Sequence, residues 1–289
     1  MSIPVIKGFF APEASTISYV VADPNTKACA VIDSVLDFDY ASGTVSYKHA
    51  DQIIKHIARN GLQVKWLIET HVHADHLSAA PYIKEQLGGE IAISREIVLV
   101  QDIFGMVFNL GREFRRDGSQ FDRLFCDGDT YKIGTLTGQA LHTPGHTPAC
   151  MTHVIGNAVF VGDTLFMPDG GTARADFPGG SASSLYHSIQ KIFSLPGDFR
   201  VFVCHDYSPN GREVRWETTI AEEQALNIHT GGGKTEQEFI LMRTSRDAGL
   251  GMPKLIMPSI QVNMRAGNMP PAEKNGGVYL KVPVNGLKT

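Results

Sequence analysis

Cysteine is scarce in this sequence: Cys29, Cys126, Cys150 and Cys204 are four residues spread through 289. Such wide spacing, with a beginning (MSIPVIKGFF) that has no basic start followed by a long apolar run, points to a reducing, cytoplasmic setting. No stretch approaches the roughly 20 apolar residues that span a bilayer, so no membrane role is expected. Basic residues are not in excess either. The formal net charge is −4 and no basic stripe stands out, which argues against nucleic acid as a partner. Internal repeats and low-complexity segments are lacking too. What is present is a chain that is 43% hydrophobic, enough to bury a large core in one big domain or two small ones.

Apolar periodicity divides this chain into short elements. Alternating strands are predicted over 17–22 and 28–33 around the turn Asp23-Pro24-Asn25. A helix carrying Ala50, Ile53, Ile54 and Ile57 stops at Asn60-Gly61, and a buried strand over 64–68 runs into Glu69-Thr70. A helix over 79–87 and a strand over 90–94 follow. Residues 123–165 read as β-structure with a hairpin turn at Gly156-Asn157. Ser181 caps a helix with the stripe Leu185, Ile189, Ile192 and Phe193; Pro196-Gly197 ends it before a strand over 201–204. Helices are predicted over 213–228 and 235–248, and the chain from Gly251 onward reads as an irregular, surface-wrapping tail. Two βα-rich halves around a β-rich middle suggest an α/β/β/α sandwich.

The strongest local signal is His71-Val72-His73-Ala74-Asp75-His76, three imidazoles and a carboxylate directly after a strand. These are the donors that suit borderline first-row metals, and a strand end is a rigid place from which to aim them. A solvated loop of histidines is the bland alternative. Against it stand His146, Asp163 and His205, each at the end of an apolar run, because packed strands bring such ends to one sheet edge. Glycines beside His146 and Asp163 allow close backbone approach. His142 and His153 read as structural. Gly231-Gly232-Gly233-Lys234-Thr235 imitates a phosphate loop but has Ile228 where its first glycine would stand, and reads as a turn between helices.

With these residues in order, the chain resembles the metallo-β-lactamase superfamily over nearly its whole length. Arg174-Ala175-Asp176-Phe177, His205-Asp206-Tyr207, the stretch from Trp216 to Ile220 and the segment from Met257 to Asn263 resemble its persulfide dioxygenase branch, with glyoxalase II as the nearest relative by site pattern. The resemblance implies an α+β fold of two mixed sheets packed face to face with helices outside. One catalytic domain would span 1–289, with a core sandwich over 1–230 and a carboxyl-terminal helix and tail over 231–289 reaching the substrate site. It also implies one Fe(II) per chain on His71, His146 and Asp163, with His73, Asp75, His76 and His205 orienting ligands and shaping the pocket.

The implied substrates are glutathione persulfide and O₂, converted to sulfite and glutathione. Arg174 and Tyr207 are then expected at the substrate, Tyr207 also in catalysis. Arg243 and Arg246 sit three apart on the predicted helix 235–248, so both would project from one face; the resemblance assigns them to the glutathione carboxylate, the alternative being a solvated helix surface. Cys204 reads as a small apolar strand residue, not a redox thiol. The rival reading is a dinuclear glyoxalase II-like thioester hydrolase acting on S-acylglutathione, since all seven ligand-type residues are present. A non-catalytic or nucleic-acid-processing member of the superfamily is a third. The sequence leaves the oligomeric state open, a homodimer being one possible assembly.

Overall fold

Ile17, Tyr19 and Val21 of β2 (Thr16–Ala22) face one apolar cluster while Val20 and Ala22 face another, and the whole strand is buried. A strand buried on both faces needs a layer on either side. In the computed structural model, which describes residues 3–287, those layers are a second sheet and a set of helices. The ends of the expected 1–289 span lie outside the described residues.

The first sheet has the order β1 (Val5–Ala11), β2, β3 (Ala28–Ile32), β6 (Gln63–Ile68), β8 (Glu90–Ser94), β9 (Arg123–Phe125). From β3 onward its strands are parallel. Parallel neighbours require crossover connections, and α1 (Lys48–Arg59), α2 (Ala80–Leu87) and α3 (Ile97–Val107) supply them. The second sheet runs β10 (Thr130–Ile133), β11 (Leu136–His142), β12 (Met151–Ile155), β13 (Ala158–Phe160), β14 (Arg200–Phe202), β15 (Glu217–Thr219). Its single parallel pair, β13 with β14, is joined through α4 (Ala182–Phe193). A small third sheet pairs β4 (Val35–Asp39) with β5 (Thr44–Ser46) and β7 (Leu77–Ser78).

Between the large sheets lie Ile17, Tyr19, Ile32 and Phe125 from one and Ile155, Phe160 and Phe202 from the other. Outside the first sheet, Ile53 of α1, Ile83 of α2 and Val100 of α3 cover Val31 and Leu67. Outside the second, Leu185, Ile189 and Ile192 of α4 cover Val159 and Val201. The fold is therefore the expected α+β sandwich, layered α/β/β/α. Local chemistry sets the element ends: the Ser181 hydroxyl accepts from the Ser184 amide at the start of α4, and Thr235 and Glu238 form a capping box at the start of α6 (Glu236–Asp247). That box also accounts for the imitation phosphate loop, whose Gly232 and Gly233 take left-handed turns just before the cap.

Two expectations are corrected. Residues 213–228 are not one helix: β15 pairs antiparallel with β14 before α5 (Ile220–Leu226) begins. The pairing covers an otherwise open strand edge and buries Thr218, which outweighs the helical spacing of the segment. The tail is not wholly irregular, because α7 (Ile256–Asn263) packs with buried Ile260 and Val262 against the helical layer over the first sheet. No described helix is long and apolar enough to cross a membrane.

In α5, Glu223 is fully buried, with one oxygen accepting from the Asn227 amide at 2.7 Å. Burial pushes its carboxyl up to about 8, despite that hydrogen bond. The folded protein thus binds this proton more tightly than the unfolded chain, so the group loses stabilising influence as pH rises from about 4.5 through 8. Glu223→Gln is expected to melt with the wild type near pH ~5 and several degrees above it near pH ~8.5, followed by thermal melts across pH. Equal melting temperatures at both pH values would refute it.

Candidate metal centre

Every histidine of the constellation is gripped at one ring nitrogen. His71 Nδ1 lies 3.1 Å from Thr70 Oγ1, His76 Nδ1 3.0 Å from the Leu77 carbonyl, and His146 Nδ1 2.8 Å from the Arg174 carbonyl. His205 Nδ1 lies 3.1 Å from the Ser15 carbonyl. His73 is held the other way round, with Nε2 3.0 Å from Asp33 and 3.4 Å from Glu69. Anchoring one nitrogen fixes the ring and turns the other toward the pocket.

The free atoms converge. Asp163 Oδ2 lies 3.8 Å from His71 Nε2 and 3.5 Å from His146 Nε2, and Oδ1 lies 3.3 Å from His205 Nε2. The donor atoms of His71, His146 and Asp163 all fall within 4.8 Å of one another, as do those of His73, Asp75 and His76. His205 Nε2 is also 3.5 Å from Asp75. The sites follow strand ends as expected: 71–76 after β6, His146 after β11, Asp163 after β13 and His205 after β14. Gly162, at φ +51, permits this, because a Cβ there would come within 2.6 Å of Thr70 Oγ1.

His71 Nε2, His73 Nδ1, His76 Nε2 and Asp163 Oδ1 are buried without a hydrogen-bond partner. Unsatisfied buried polar atoms are costly, and four facing one pocket fit a metal ion as the missing partner. Titration agrees. Burial, reinforced by the neighbouring imidazoles, holds His71 well below the ordinary histidine value and His76 down to about 4, so both keep a lone pair to donate. For Asp75 burial works against ionisation, yet His205 and His76 outweigh it and bring the carboxyl down to about 2. Burial likewise opposes charge on His73, but Asp33 and Glu69 raise it well above the usual value.

Several supporting residues escaped sequence reasoning. Asp33, at φ +53, accepts from the Thr70 amide (2.7 Å) and hydroxyl (2.9 Å). Glu69 accepts from Ser78 at 2.6 Å. Thr16 donates to Asp75 at 3.1 Å. Asn263, at the end of α7, donates to the carbonyls of His73 (2.9 Å) and His76 (2.8 Å) and accepts from the Ser78 amide (2.8 Å). His142 and His153 lie in structural bonds to the Pro148 carbonyl and to Tyr131. Cys204 is buried, its thiol pushed well up by burial and directed at Asp33.

The four residues expected at the substrate differ in setting. Tyr207 is 61% exposed and stacks on the His205 ring at 5.7 Å. Arg174 pairs with Asp176 at 2.6 Å, donates to the Gly251 carbonyl and lies over the Phe177 ring. Arg246 is exposed. Arg243 does not share that exposed face: it is buried, paired with Asp247 at 2.6 Å and bonded to the Thr172 carbonyl at 3.1 Å. Residues three apart differ by about 60° around a helix, enough at the border of a buried face for one to point inward and the other outward. Asp247 in turn accepts from the Ala175 amide at 2.9 Å, next to the carbonyl that grips His146.

A sandwich of this layering, with histidines and aspartates gathered at its strand ends, defines a metal-binding enzyme class. The Metallo-beta-lactamase superfamily model matches residues 12–205, and the chain belongs to that superfamily. Within it, the chain is 56% identical to a "probable metallo-hydrolase" of Burkholderia pseudomallei, covering 98% of this chain and 99% of the relative. It is 49% identical to glyoxylase B2 of Dictyostelium discoideum (96% and 95% covered) and 30% identical to the human mitochondrial persulfide dioxygenase ETHE1 (92% and 90% covered). The crystal structure of ETHE1 from Myxococcus xanthus superposes with a TM-score of 0.73 at 30% identity, covering 91% of this chain and 100% of that one.

Proposed function

We propose that this chain oxidises glutathione persulfide with O₂ to sulfite and glutathione, using one Fe(II) held by His71, His146 and Asp163. The observation that carries the reading is the buried convergence of two imidazoles and one carboxylate within 4.8 Å, the donor set of non-haem iron oxygenases. Relatives named persulfide dioxygenase support it. A bound Fe(II) supplies the redox chemistry that O₂ needs to react with a sulfur anion. The chain's share is positioning and electrostatics. The Thr70 hydroxyl and the Arg174 carbonyl fix the rings of His71 and His146. The exposed Arg246 supplies a cation for a carboxylate of the tripeptide, while Arg174, held by Asp176 and the Gly251 carbonyl, and Tyr207 border the thiol arm. Arg243 acts by holding the 172–175 segment, not by reaching substrate.

A second reading, thioester hydrolysis on S-acylglutathione with two metals, is favoured by Asp75, His76 and His205 facing the opposite side of Asp163 and by the glyoxylase B2 relative. Metal analysis of anaerobically purified protein, paired with an oxygen electrode and a thioester assay, separates the two. One iron per chain with O₂ uptake on glutathione persulfide is expected. Two metals per chain, thioester cleavage and no O₂ uptake would replace the dioxygenase reading with the hydrolase.

A further inference from the structure

Val72 and Ala74, the residues interleaved with the histidines of the metal loop, line an apolar cavity of about 10 Å³. Phe177, with Val100 and Phe104 of α3 and Ile256 and Ile260 of α7, completes its lining. A space of that size holds a single water-sized or diatomic molecule. A buried water needs two to four polar partners, and the lining is poorly placed to give them. Thr147 is the polar side chain at the wall, and its hydroxyl is already engaged with Cys150 Sγ at 3.0 Å and the Ala149 amide at 3.3 Å. The cavity lies one aromatic ring from the metal centre: Phe177, part of its wall, packs edge-on against His146 with ring centroids 5.2 Å apart.

We propose that this cavity is a docking site for dioxygen beside the metal centre, an inference that rests on the dioxygenase reading. O₂ is small, apolar and a poor hydrogen-bond partner, so it gains from leaving water for such a wall, whereas the charged persulfide does not. The two substrates would then reach the centre by separate routes: the anion past the Tyr207 and Arg174 side, the gas through the layer between α3 and α7.

Xenon-pressurised crystals and O₂-dependent kinetics test this, with Val100→Phe to fill the cavity and Val100→Ala to enlarge it. Val100 is neither a proposed donor nor a proposed tripeptide-binding residue. Xenon is expected in the wild-type cavity, more strongly in Val100→Ala, and absent from Val100→Phe. Val100→Phe is expected to raise the KM for O₂ several-fold and leave the KM for glutathione persulfide unchanged. Ordered water in place of xenon in wild type or Val100→Ala overturns the proposal even if Val100→Phe fails to fold, and so does an unchanged KM for O₂ in a folded Val100→Phe. Xenon in the cavity of a wild-type protein that consumes no O₂ would instead overturn the functional reading of the metal centre, and the delivery role with it.

Discussion

Asp163→Ala is expected to lower kcat/KM with glutathione persulfide by ~10³-fold or more and to leave the purified protein nearly free of iron. Losing a partner that merely supports a ligand costs about 10–100-fold, and Asp163 stands closer to the chemistry than that. Its two oxygens face three imidazoles, His71, His146 and His205, at 3.3–3.8 Å. Asp75→Ala is the informative companion. With one iron on His71, His146 and Asp163, Asp75 only orients His205, so its loss falls in the 10–100-fold range and iron is largely retained. With two metals, Asp75 is itself a donor to the second ion, so Asp75→Ala also lowers the metal content, while Asp163→Ala disturbs both sites. Iron content and O₂ uptake of the two variants, measured side by side, give the answer; wild-type iron in Asp163→Ala would sink the assignment.

Arg243→Met is expected to destabilise the fold by about 3–5 kcal/mol, because it strands the buried Asp247 carboxylate without its cation. At this chain length that is a fall of roughly 10 °C in Tm. The damage should reach the metal. Asp247 also anchors the Ala175 amide, and the neighbouring Arg174 carbonyl grips His146, so iron is expected to bind more weakly in this variant. Arg246→Ala, on the exposed side of the same helix, should stay within about 0.5 kcal/mol of wild type while raising the KM for the persulfide. Melting curves with an iron titration distinguish the two arginines. Should Arg243→Met melt with the wild type, the buried pair has been misjudged.

The residues that converge at the candidate metal centre were legible because each announces itself locally, by six dense residues at 71–76 or by a polar residue ending an apolar run. The layering was legible for a similar reason, since Ile17, Tyr19 and Val21 alternate with Val20 through β2. What stayed hidden is non-local. Nothing near Asp33 in sequence says that it will receive Thr70 and His73, and nothing near Thr16 says that it will meet Asp75. β15 has only three residues, too short for a period to show, and its reason for existing is the edge of β14. Arg243 and Arg246 have the same chemistry in sequence; only Asp247 and the Thr172 carbonyl separate a buried strut from a surface cation.

Asn263 ties α7 to the histidine loop. It bonds to His73 and His76 across separations of 190 and 187 residues, so the loop that receives the ion is synthesised long before the residue that braces it. All seven ligand-type residues lie at or before position 205, whereas this brace stands on α7. A chain cut before α7 would therefore keep the histidine loop and lose the side chain that holds its His73 and His76 carbonyls.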